Sequence, residues 1–189
     1  KDFLVDVHPI GAVTKGMEGE ELTEMGDMID AGAVGFSDDG MPVKKASLLR
    51  HALEYAKQFN TPIIDHCEEL DLSGDGVMNE GYYSTLLGLS PIPSLSEDIM
   101  VMRDILIAEF TQSPIHIAHV STKGSVKIIE DAKNRGVSVT AETCPHYLLM
   151  TDKDVTSFDT NTKMKPPLRS EDDKKAVIEG LKKGVIDVI

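Results

Sequence analysis

Acidic and histidine side chains follow four short hydrophobic runs in this sequence of 189 residues. Asp38 and Asp39 follow Gly-Phe-Ser, His66 follows Ile-Ile-Asp, His119 follows His-Ile-Ala, and Glu142 follows Val-Thr-Ala. Imidazole nitrogen and carboxylate oxygen are natural ligands for a catalytic zinc ion. The four run ends therefore indicate a metal site to which several segments of the chain contribute one side chain each.

Each of these residues also has an ordinary structural explanation. A single His at the end of a strand is more often a hydrogen-bonded structural residue than a ligand, and Asp38-Asp39-Gly40 is typical of a turn or a helix N-cap. The ordered recurrence of acid, His and His on consecutive runs is what favours the metal site.

The runs alternate with amphipathic segments, which predicts βαβ units and a parallel sheet. The predicted strands are Asp2–Pro9, Ala33–Asp38, Pro62–His66, Pro114–Val120, Val137–Glu142 and Gly184–Ile189. The predicted helices are Glu20–Asp30, Lys45–Phe59, Glu97–Phe110, Ser125–Arg135 and Glu171–Lys183. We favour a (β/α)8 barrel over an open doubly wound sheet because no phosphate-binding glycine motif follows the early strands, and because the polar residues cluster at C-terminal strand ends.

The composition is that of an ordinary globular protein, with 41% hydrophobic and 27% charged residues. A formal net charge of −13 argues against nucleic acid or an anionic membrane as partner. Cys67 and Cys144 are too few for a disulfide framework and fit a cytoplasmic protein. No apolar run approaches the roughly 18 residues that span a bilayer.

Both ends of the sequence fall in strand-like runs, directly after Lys1 and at Ile189. Natural domains seldom begin and end in core strands. We therefore interpret residues 1–189 as one incomplete barrel domain from a longer protein.

Six stretches, in this order and spacing, resemble the Asp-bridged class I dihydroorotases of the amidohydrolase superfamily over essentially the whole chain. They are residues 9–12, 33–40, 65–68, 119–122, 142–146 and 166–169. The resemblance implies an α/β fold, namely a partial TIM-like (β/α)8 barrel of the metal-dependent hydrolase type that comprises roughly strands 3 to 8.

The resemblance also implies a metal site. Asp39 matches the carboxylate that bridges or contacts one or two zinc ions, and His66 and His119 match ligands from the fifth and sixth strands. Related hydantoinases, dihydropyrimidinases and allantoinases generally carry a carboxylated lysine where this chain has Asp39. Asp38 is then a turn residue, and His116, three residues before His119, is expected to be structural on the opposite face of the strand.

The family's general acid/base Asp is expected just beyond Ile189, and its His-x-His-x-Arg before Lys1. We therefore expect no catalytic residue within this span, and little or no turnover by these 189 residues alone. Lys165 stands where the family commonly has a substrate-binding Asn. It could bind an anionic substrate through its charge, or be a solvated loop residue.

The activity implied by the resemblance is the reversible cyclisation of N-carbamoyl-L-aspartate to L-dihydroorotate in pyrimidine biosynthesis. The implied assembly is a homodimer or a complex with aspartate carbamoyltransferase. Two alternatives stay open: a hydantoinase-like or allantoinase-like cyclic amidase, and a non-catalytic dihydroorotase homologue that serves as an assembly subunit of aspartate carbamoyltransferase. The presence of all three expected ligands argues against the second.

Three further residues and one loop have alternative interpretations. Cys67 could be a nucleophile, but alternation along the strand turns it away from the site and favours buried packing. Cys144 has no visible base beside it, and His146 could border the pocket or cap a loop. The glycine-rich segment Asp71–Tyr83 is predicted to be a long surface loop.

Overall fold

The computed structural model describes residues 4–189 and contains seven short strands. They are β1 (Ile10–Gly11), β2 (Gly35–Phe36), β3 (Ile63–Asp65), β4 (Met78–Asn79), β5 (Pro91–Ile92), β6 (Ile115–Ile117) and β7 (Val139–Ala141). Five of them form one parallel sheet in the order β1-β2-β3-β6-β7, and β4 pairs with β5 in a second parallel sheet. The strands of the main sheet thus stand in chain order, as in a barrel wall.

Eight α-helices alternate with these strands in the described part of the chain. They are α1 (Met25–Asp30), α2 (Ala46–Lys57), α3 (Leu70–Ser73), α4 (Tyr82–Leu87), α5 (Leu95–Thr111), α6 (Lys123–Asn134), α7 (Pro145–Leu149) and α8 (Glu171–Lys182). Short 3-10 turns occur at Lys15–Met17, Asp152–Ser157 and Thr160–Thr162. Among residues 4–189, no helix combines the length and the apolar character that crossing a membrane requires.

The hydrophobic core lies between the main sheet and one layer of helices. Phe36, Ile63 and Ile115 are fully buried from the strands, and they share one core cluster with residues of α2, α5 and α6. On α2 the buried residues are Leu49, Ala52, Leu53 and Ala56, which form the stripe that helical periodicity predicts. The other face of the sheet borders an open cavity, so helices cover one face only. This α/β arrangement is that of a partial (β/α) barrel and differs from a doubly wound sheet, which carries helices on both faces.

Helix boundaries follow local signals in the sequence. The Ser170 hydroxyl accepts a hydrogen bond from the Asp173 backbone N–H at 3.2 Å and caps α8, as predicted. Gly136 and Gly184 follow α6 and α8 with φ angles of 84° and 71°, a conformation that glycine adopts without strain. The predicted helix Glu20–Asp30 is shorter in the structure and begins only at Met25.

The two terminal strand predictions were largely wrong. Residues 4–9 form no strand, the first pairing begins at Ile10, and Asp2 and Phe3 lie outside the described residues. The run Gly184–Ile189 makes only a single parallel bridge, between Val188 and Glu142. Both runs lie at the edges of the sheet, where only one neighbouring strand is available for backbone hydrogen bonds.

The prediction of a loop over Asp71–Tyr83 was also wrong. This segment contains most of α3, all of β4 and the start of α4. Met78 and Asn79 of β4 are buried, and the Asn79 amide donates a hydrogen bond to Asp152 at 3.0 Å. The glycines in the segment are turn residues around a short packed strand, and composition alone does not separate these two cases.

Candidate metal site and its surroundings

A cavity of about 540 Å³ opens on the face of the main sheet that carries no helices. Its polar lining consists of Ser37, Asp39, His116, His119 and Glu142. Its apolar lining consists of Ile10, Ala12, Met17, Ile64 and Ala118. Most of these residues lie on the strands or directly after them, so the cavity has the position of a barrel interior near the C-terminal strand ends.

The adjacent acids Asp38 and Asp39 have different environments. Asp38 is buried, and its carboxylate accepts hydrogen bonds from the backbone N–H groups of Val13 and Thr14, both at 2.9 Å. Asp38 therefore ties the end of β2 to the loop after β1, which agrees with its prediction as a turn residue. Asp39 is exposed, has a φ of 56°, and lines the cavity. The left-handed backbone, which Asp tolerates better than most residues, separates the two carboxylates.

His66 and His119 lie side by side after β3 and β6. His66 Nδ1 is 2.9 Å from His119 Nε2, and the two rings meet edge to face with centroids 4.7 Å apart. Burial, reinforced by the neighbouring His66, lowers the pKa of His119. A neutral imidazole is the form that binds a metal ion, so this environment suits a ligand.

Of the three predicted ligands, His66 and His119 are in contact in the structure. The third, Asp39, lies on the wall of the cavity that His119 also lines. Asp39 and His119 both line the cavity, and His66 lies behind His119. Within residues 4–189, only Asp65, Cys67 and Asp104 form a group of three side chains whose ligand atoms all lie within 4.8 Å of one another. The donor set of Asp39, His66 and His119, two nitrogens and one oxygen, fits zinc chemically, but these side chains do not form so compact a group.

The prediction that His116 faces away from His119 was wrong. Both histidines line the same cavity, because β6 ends at Ile117 and His119 adopts a φ of 37°, which breaks the alternation. His116 Nδ1 is 2.8 Å from Thr140 Oγ1, and its Nε2 is 3.7 Å from Glu142 Oε2. Burial lowers the pKa of His116, against the opposing effect of Glu142. His116 and Glu142 are thus polar residues of the cavity wall that the site prediction omitted. The position of Glu142 directly after a predicted strand could have identified it.

The family model described as "Dihydro-orotase-like" matches residues 2–125 of this chain. The chain belongs to this family. A curated dihydroorotase from Acetivibrio thermocellus is 58% identical over 189 residues, which are 100% of this chain and 44% of that protein. One from Pelotomaculum thermopropionicum is 60% identical over 98% of this chain and 43% of its own length. The chain thus spans less than half the length of these relatives, and the resemblance predicted from its motifs is confirmed.

Solved structures agree on the fold. An L-hydantoinase (dihydropyrimidinase) from Arthrobacter aurescens matches with a TM-score of 0.79 at 23% identity, over 97% of this chain and 42% of that one. A D-hydantoinase matches with a TM-score of 0.78 at 19% identity, over the same shares of the two chains. At these identities the likeness concerns the fold alone, and it supports a partial (β/α) barrel.

Lys165, the predicted substrate-binding residue, contacts the candidate metal site indirectly. Its Nζ is 2.9 Å from Glu68 Oε2, and the same oxygen is 2.9 Å from His66 Nε2. Burial raises the pKa of Glu68, but hydrogen bonds from His66, Lys165 and Ser73 outweigh it and lower this pKa to about 2. Glu68 therefore stays ionised and accepts from both neighbours. The Lys165 side chain is 53% exposed, so it can also meet a ligand in solution.

Arg169, at the end of the Pro-Pro-Leu-Arg stretch, is a buried structural residue. It donates hydrogen bonds to Ser121 Oγ at 3.0 Å and to the Ile92 carbonyl at 3.2 Å, and it pairs with Glu97 at 3.5 Å. Glu97 in turn accepts from the backbone N–H groups of Ser121 and Thr122, at 3.0 and 3.2 Å. This network fixes the segment that directly follows His119.

Cys67 is buried, as predicted, and donates a hydrogen bond through Sγ to Asp104 at 3.3 Å. Burial and the carboxylates of Asp104 and Asp65 raise the pKa of its thiol, so the thiol is a poor nucleophile. Arg103 Nη2 lies 2.6 Å from Asp104 and 3.5 Å from Asp65. In the compact group of Asp65, Cys67 and Asp104, both carboxylates therefore already pair with the Arg103 guanidinium.

Two other side chains near β7 contribute less to the site. Burial, followed by the charge of Glu142, raises the pKa of the Cys144 thiol, which disfavours the thiolate. His146 packs against the ring of Tyr147 with centroids 4.1 Å apart and is not among the residues that line the large cavity. The alternative in which His146 borders the pocket is therefore not supported.

Proposed function

We propose that the full-length protein is a dihydroorotase, a zinc-dependent cyclic amide hydrolase that interconverts N-carbamoyl-L-aspartate and L-dihydroorotate. The observation that carries the proposal is the contact between His66 and His119 beside a cavity that Asp39 also lines. Identities of 58% and 60% to curated dihydroorotases support the choice of this reaction among those of cyclic amidases.

Asp39, His66 and His119 would hold the metal. A bound zinc ion polarises an amide carbonyl and lowers the pKa of a bound water molecule to about 7. This chain's own contribution is to orient the ligands. Glu68, ionised because its pKa is about 2, accepts a hydrogen bond from the Nε2–H of His66, so the lone pair of His66 lies on Nδ1 and accepts from Nε2–H of His119. Burial lowers the pKa of His119, which favours the neutral imidazole, and in that form its second nitrogen, Nδ1, carries a lone pair.

The cavity supplies surfaces for a small anionic substrate. His116 and Glu142 lie together on its wall, where they can donate to and accept from polar groups of a cyclic amide. Lys165 is proposed as a substrate-binding residue, since its exposed ammonium group is adjacent to the site through Glu68. In this role it attracts a substrate carboxylate as a point charge, without the acceptor oxygen of an amide.

The experiment that tests the proposal measures two quantities in the full-length protein: hydrolysis of dihydroorotate and zinc content by elemental analysis. In Asp39→Asn and His119→Ala we expect less bound zinc and a loss of activity greater than about 100-fold, because even residues that only support metal ligands change affinity by about 10–100-fold. Asp30→Asn is the control, since that exposed acid lies outside the cavity. Full zinc content and full activity in Asp39→Asn would contradict the ligand set.

Substrate identity needs a separate comparison. The full-length protein should hydrolyse dihydroorotate far faster than allantoin or dihydrouracil. The opposite order would support a hydantoinase-like amidase, and zinc-free folded protein would support a non-catalytic homologue. We also propose that the 189-residue chain alone has little or no turnover, and a normal rate from it with added zinc would refute this.

The role of Lys165 is tested by Lys165→Asn, with Lys163→Asn as the matched control two residues away. If the ammonium group binds substrate, KM for dihydroorotate rises in the first variant only. An unchanged KM in Lys165→Asn would limit this side chain to its contact with Glu68.

A further inference from the structure

Two aspartates of this chain are followed directly by glycine, at Asp39–Gly40 and at Asp75–Gly76. In such a pair the backbone nitrogen of the glycine can attack the γ-carbon of the aspartate, because glycine has no side chain that blocks the approach and its backbone adopts a wide range of conformations. The product is a succinimide ring, which opens to isoaspartate. A folded protein permits this reaction only where the glycine backbone is free to move, and the two pairs differ in this respect.

The backbone at Asp39–Gly40 is open. Both residues are exposed, and they are the central residues of a turn in which the Met41 N–H donates to the Asp38 carbonyl at 3.1 Å. Among residues 4–189, no backbone carbonyl accepts a hydrogen bond from the Gly40 N–H. Apart from the adjacent residues, no atom of this part of the chain lies within 4 Å of the position that a Cβ on residue 40 would take. The nitrogen that must attack is therefore accessible.

The turn at Asp39–Gly40 is also strained. Asp39 has a φ of 56°, whereas the φ of Gly40 is not positive. A positive φ at the first central residue alone is the pattern of a type II′ turn, which favours glycine at that position. Here aspartate occupies the position and glycine follows it. Because an L-residue in this conformation raises the free energy of the folded turn, the turn opens more readily than an unstrained one.

The backbone at Asp75–Gly76 is closed by comparison. Its aspartate is exposed, as Asp39 is. The Gly76 N–H, however, donates to the Ser73 carbonyl at 2.9 Å. A Cβ on residue 76 would lie 2.5 Å from the Pro91 carbonyl oxygen, so β5 packs directly against this backbone. The attacking nitrogen is therefore held in a hydrogen bond, and the rotation that ring closure needs is blocked.

We propose that Asp39–Gly40 is a site of spontaneous isomerisation to isoaspartate, which a metal ion bound by Asp39 suppresses. In the first step a bond forms between the Gly40 nitrogen and Cγ of Asp39, and a carboxyl oxygen leaves as water with the amide proton and the carboxyl proton. Water then adds to the α-carbonyl carbon of the ring, and the bond from this carbon to the Gly40 nitrogen breaks. The main chain afterwards runs through Cγ, and the former main-chain carbonyl is a free carboxylate. One water molecule is released and one is consumed, so the mass of the protein does not change.

The isomerisation alters the candidate metal site. Asp39 lines the cavity together with His119. In isoaspartate the free carboxylate is attached directly to Cα, and the main chain is longer by one methylene group, so the carboxylate oxygens no longer reach the same positions relative to His119. A cation bound by Asp39 holds the oxygen that must leave as water and therefore slows ring closure. The protection by metal rests on the proposed function, because it requires Asp39 to be a ligand, whereas the isomerisation itself does not.

The first experiment ages folded, metal-free full-length protein at neutral pH and follows isoaspartate in its proteolytic peptides by mass spectrometry, with a fragmentation method that distinguishes the two isomers. Isoaspartate should form at position 39 at least about tenfold faster than at position 75, a difference of about 1.4 kcal/mol in activation free energy. The reason is that Gly76 must first break its hydrogen bond and separate from β5. Equal rates at the two positions, or no isoaspartate at position 39, would overturn the proposal.

Gly40→Ala tests whether the Gly40 nitrogen is the nucleophile. The open space and the φ at this position accommodate a methyl group, but the methyl group obstructs the approach of the nitrogen to Cγ of Asp39. The rate at position 39 should fall by about tenfold or more. Gly81→Ala is the matched control, because a Cβ there lies 3.8 Å from Asn79 in ordinary contact, and it should leave the rate at position 39 unchanged. An undiminished rate in Gly40→Ala would contradict the proposal.

The second experiment repeats the ageing with zinc added and measures zinc content by elemental analysis on the same samples. Zinc-loaded protein should form isoaspartate at position 39 at least about tenfold more slowly than metal-free protein. Protein that contains zinc and still isomerises at the metal-free rate would overturn the protection by metal. Protein that binds no zinc would contradict the proposed function instead, and the comparison of positions 39 and 75 would still decide the isomerisation.

Discussion

The two faces of α5 differ in a way that is unusual for a helix of an outer barrel layer. The inward face carries the buried acids Glu97 and Asp104 among apolar residues, whereas the outward face carries exposed apolar residues. These are Leu95, Ile99, Met102, Leu106 and Phe110. A helix in such a layer ordinarily has apolar residues inward and charges outward. Apolar packing against the sheet therefore does not account for the acids on the inward face of α5.

The inward acids hold the two segments that carry the histidines. Glu97 accepts from the backbone of Ser121 and Thr122, just after His119. Asp104, seven residues further along α5, accepts from Cys67, directly after His66. One rigid helix thus fixes the end of β3 and the end of β6, and hence the distance between the two imidazoles. These acids are buried here although an apolar face would pack against the core without the cost of desolvating charged groups.

The largest effect is expected at Glu97, the centre of the inward polar face. Glu97→Gln would leave Arg169, 3% exposed, without its counter-charge and would weaken the hydrogen bonds to Ser121 and Thr122. Breaking a buried ion pair from one side costs about 3–5 kcal/mol in the free energy of unfolding. Urea denaturation of the full-length protein measures this loss.

Glu179→Gln on α8 is the matched control, because this glutamate pairs with Lys182 at the surface and should tolerate the change with little effect. A double variant, Glu97→Gln with Arg169→Met, should recover part of the loss, since no unpaired charge is then buried. If Glu97→Gln were as stable as the control, the inward acids would not be what anchors the segment after His119.

A smaller effect is expected at Arg103, which neutralises the second acid. Arg103→Met would leave Asp65 and Asp104 facing each other without the guanidinium that lies 3.5 and 2.6 Å from them. Because Arg103 is partly exposed and water can replace it in part, we expect a loss of about 1–3 kcal/mol in the free energy of unfolding. Zinc affinity of the full-length protein should fall as well, since the strand end that carries His66 is no longer fixed.

Lys182→Met serves as the control for Arg103→Met, because Lys182 belongs to an exposed ion pair on α8. The informative comparison is between stability and zinc affinity. A less stable Arg103→Met protein with unchanged zinc affinity would separate the Asp65–Asp104 group from the positioning of His66.

The sequence was sufficient to predict those features whose pattern has only one structural interpretation. The stripe on α2, the cap at Ser170 and the grouping of His66 with His119 after adjacent strands all agree with the structure. The family motifs also identified the partial barrel. In each case the signal is local, or depends only on the rule that parallel strands end at one edge of the sheet.

The inward acids of α5 could not be predicted in the same way. Glu97 and Asp104 look like residues of a solvated face, and α5 has apolar residues on both sides, so periodicity does not identify the buried one. The partners that decide the matter, Ser121, Arg169 and Cys67, are distant in sequence. The predicted orientation of His116 was wrong for a related reason. The residue at which β6 stops being extended depends on the neighbouring strands.

The smallest effect is expected at Asp98, which lies at the boundary between the two faces. Burial and, further, the charge of Glu97 raise its pKa above 3.8, against hydrogen bonds from Thr122 and Ser125. Between 3.8 and the raised pKa, the folded state therefore binds more protons than the unfolded state. By linkage, the contribution of Asp98 to the free energy of unfolding decreases as pH rises through this interval. Asp98→Asn should remove that decrease in urea denaturation measured from pH 4 to 6, whereas Asp75→Asn, the same change at an exposed position, should keep it. An identical pH dependence in both variants would place Asp98 with the solvated outward face instead.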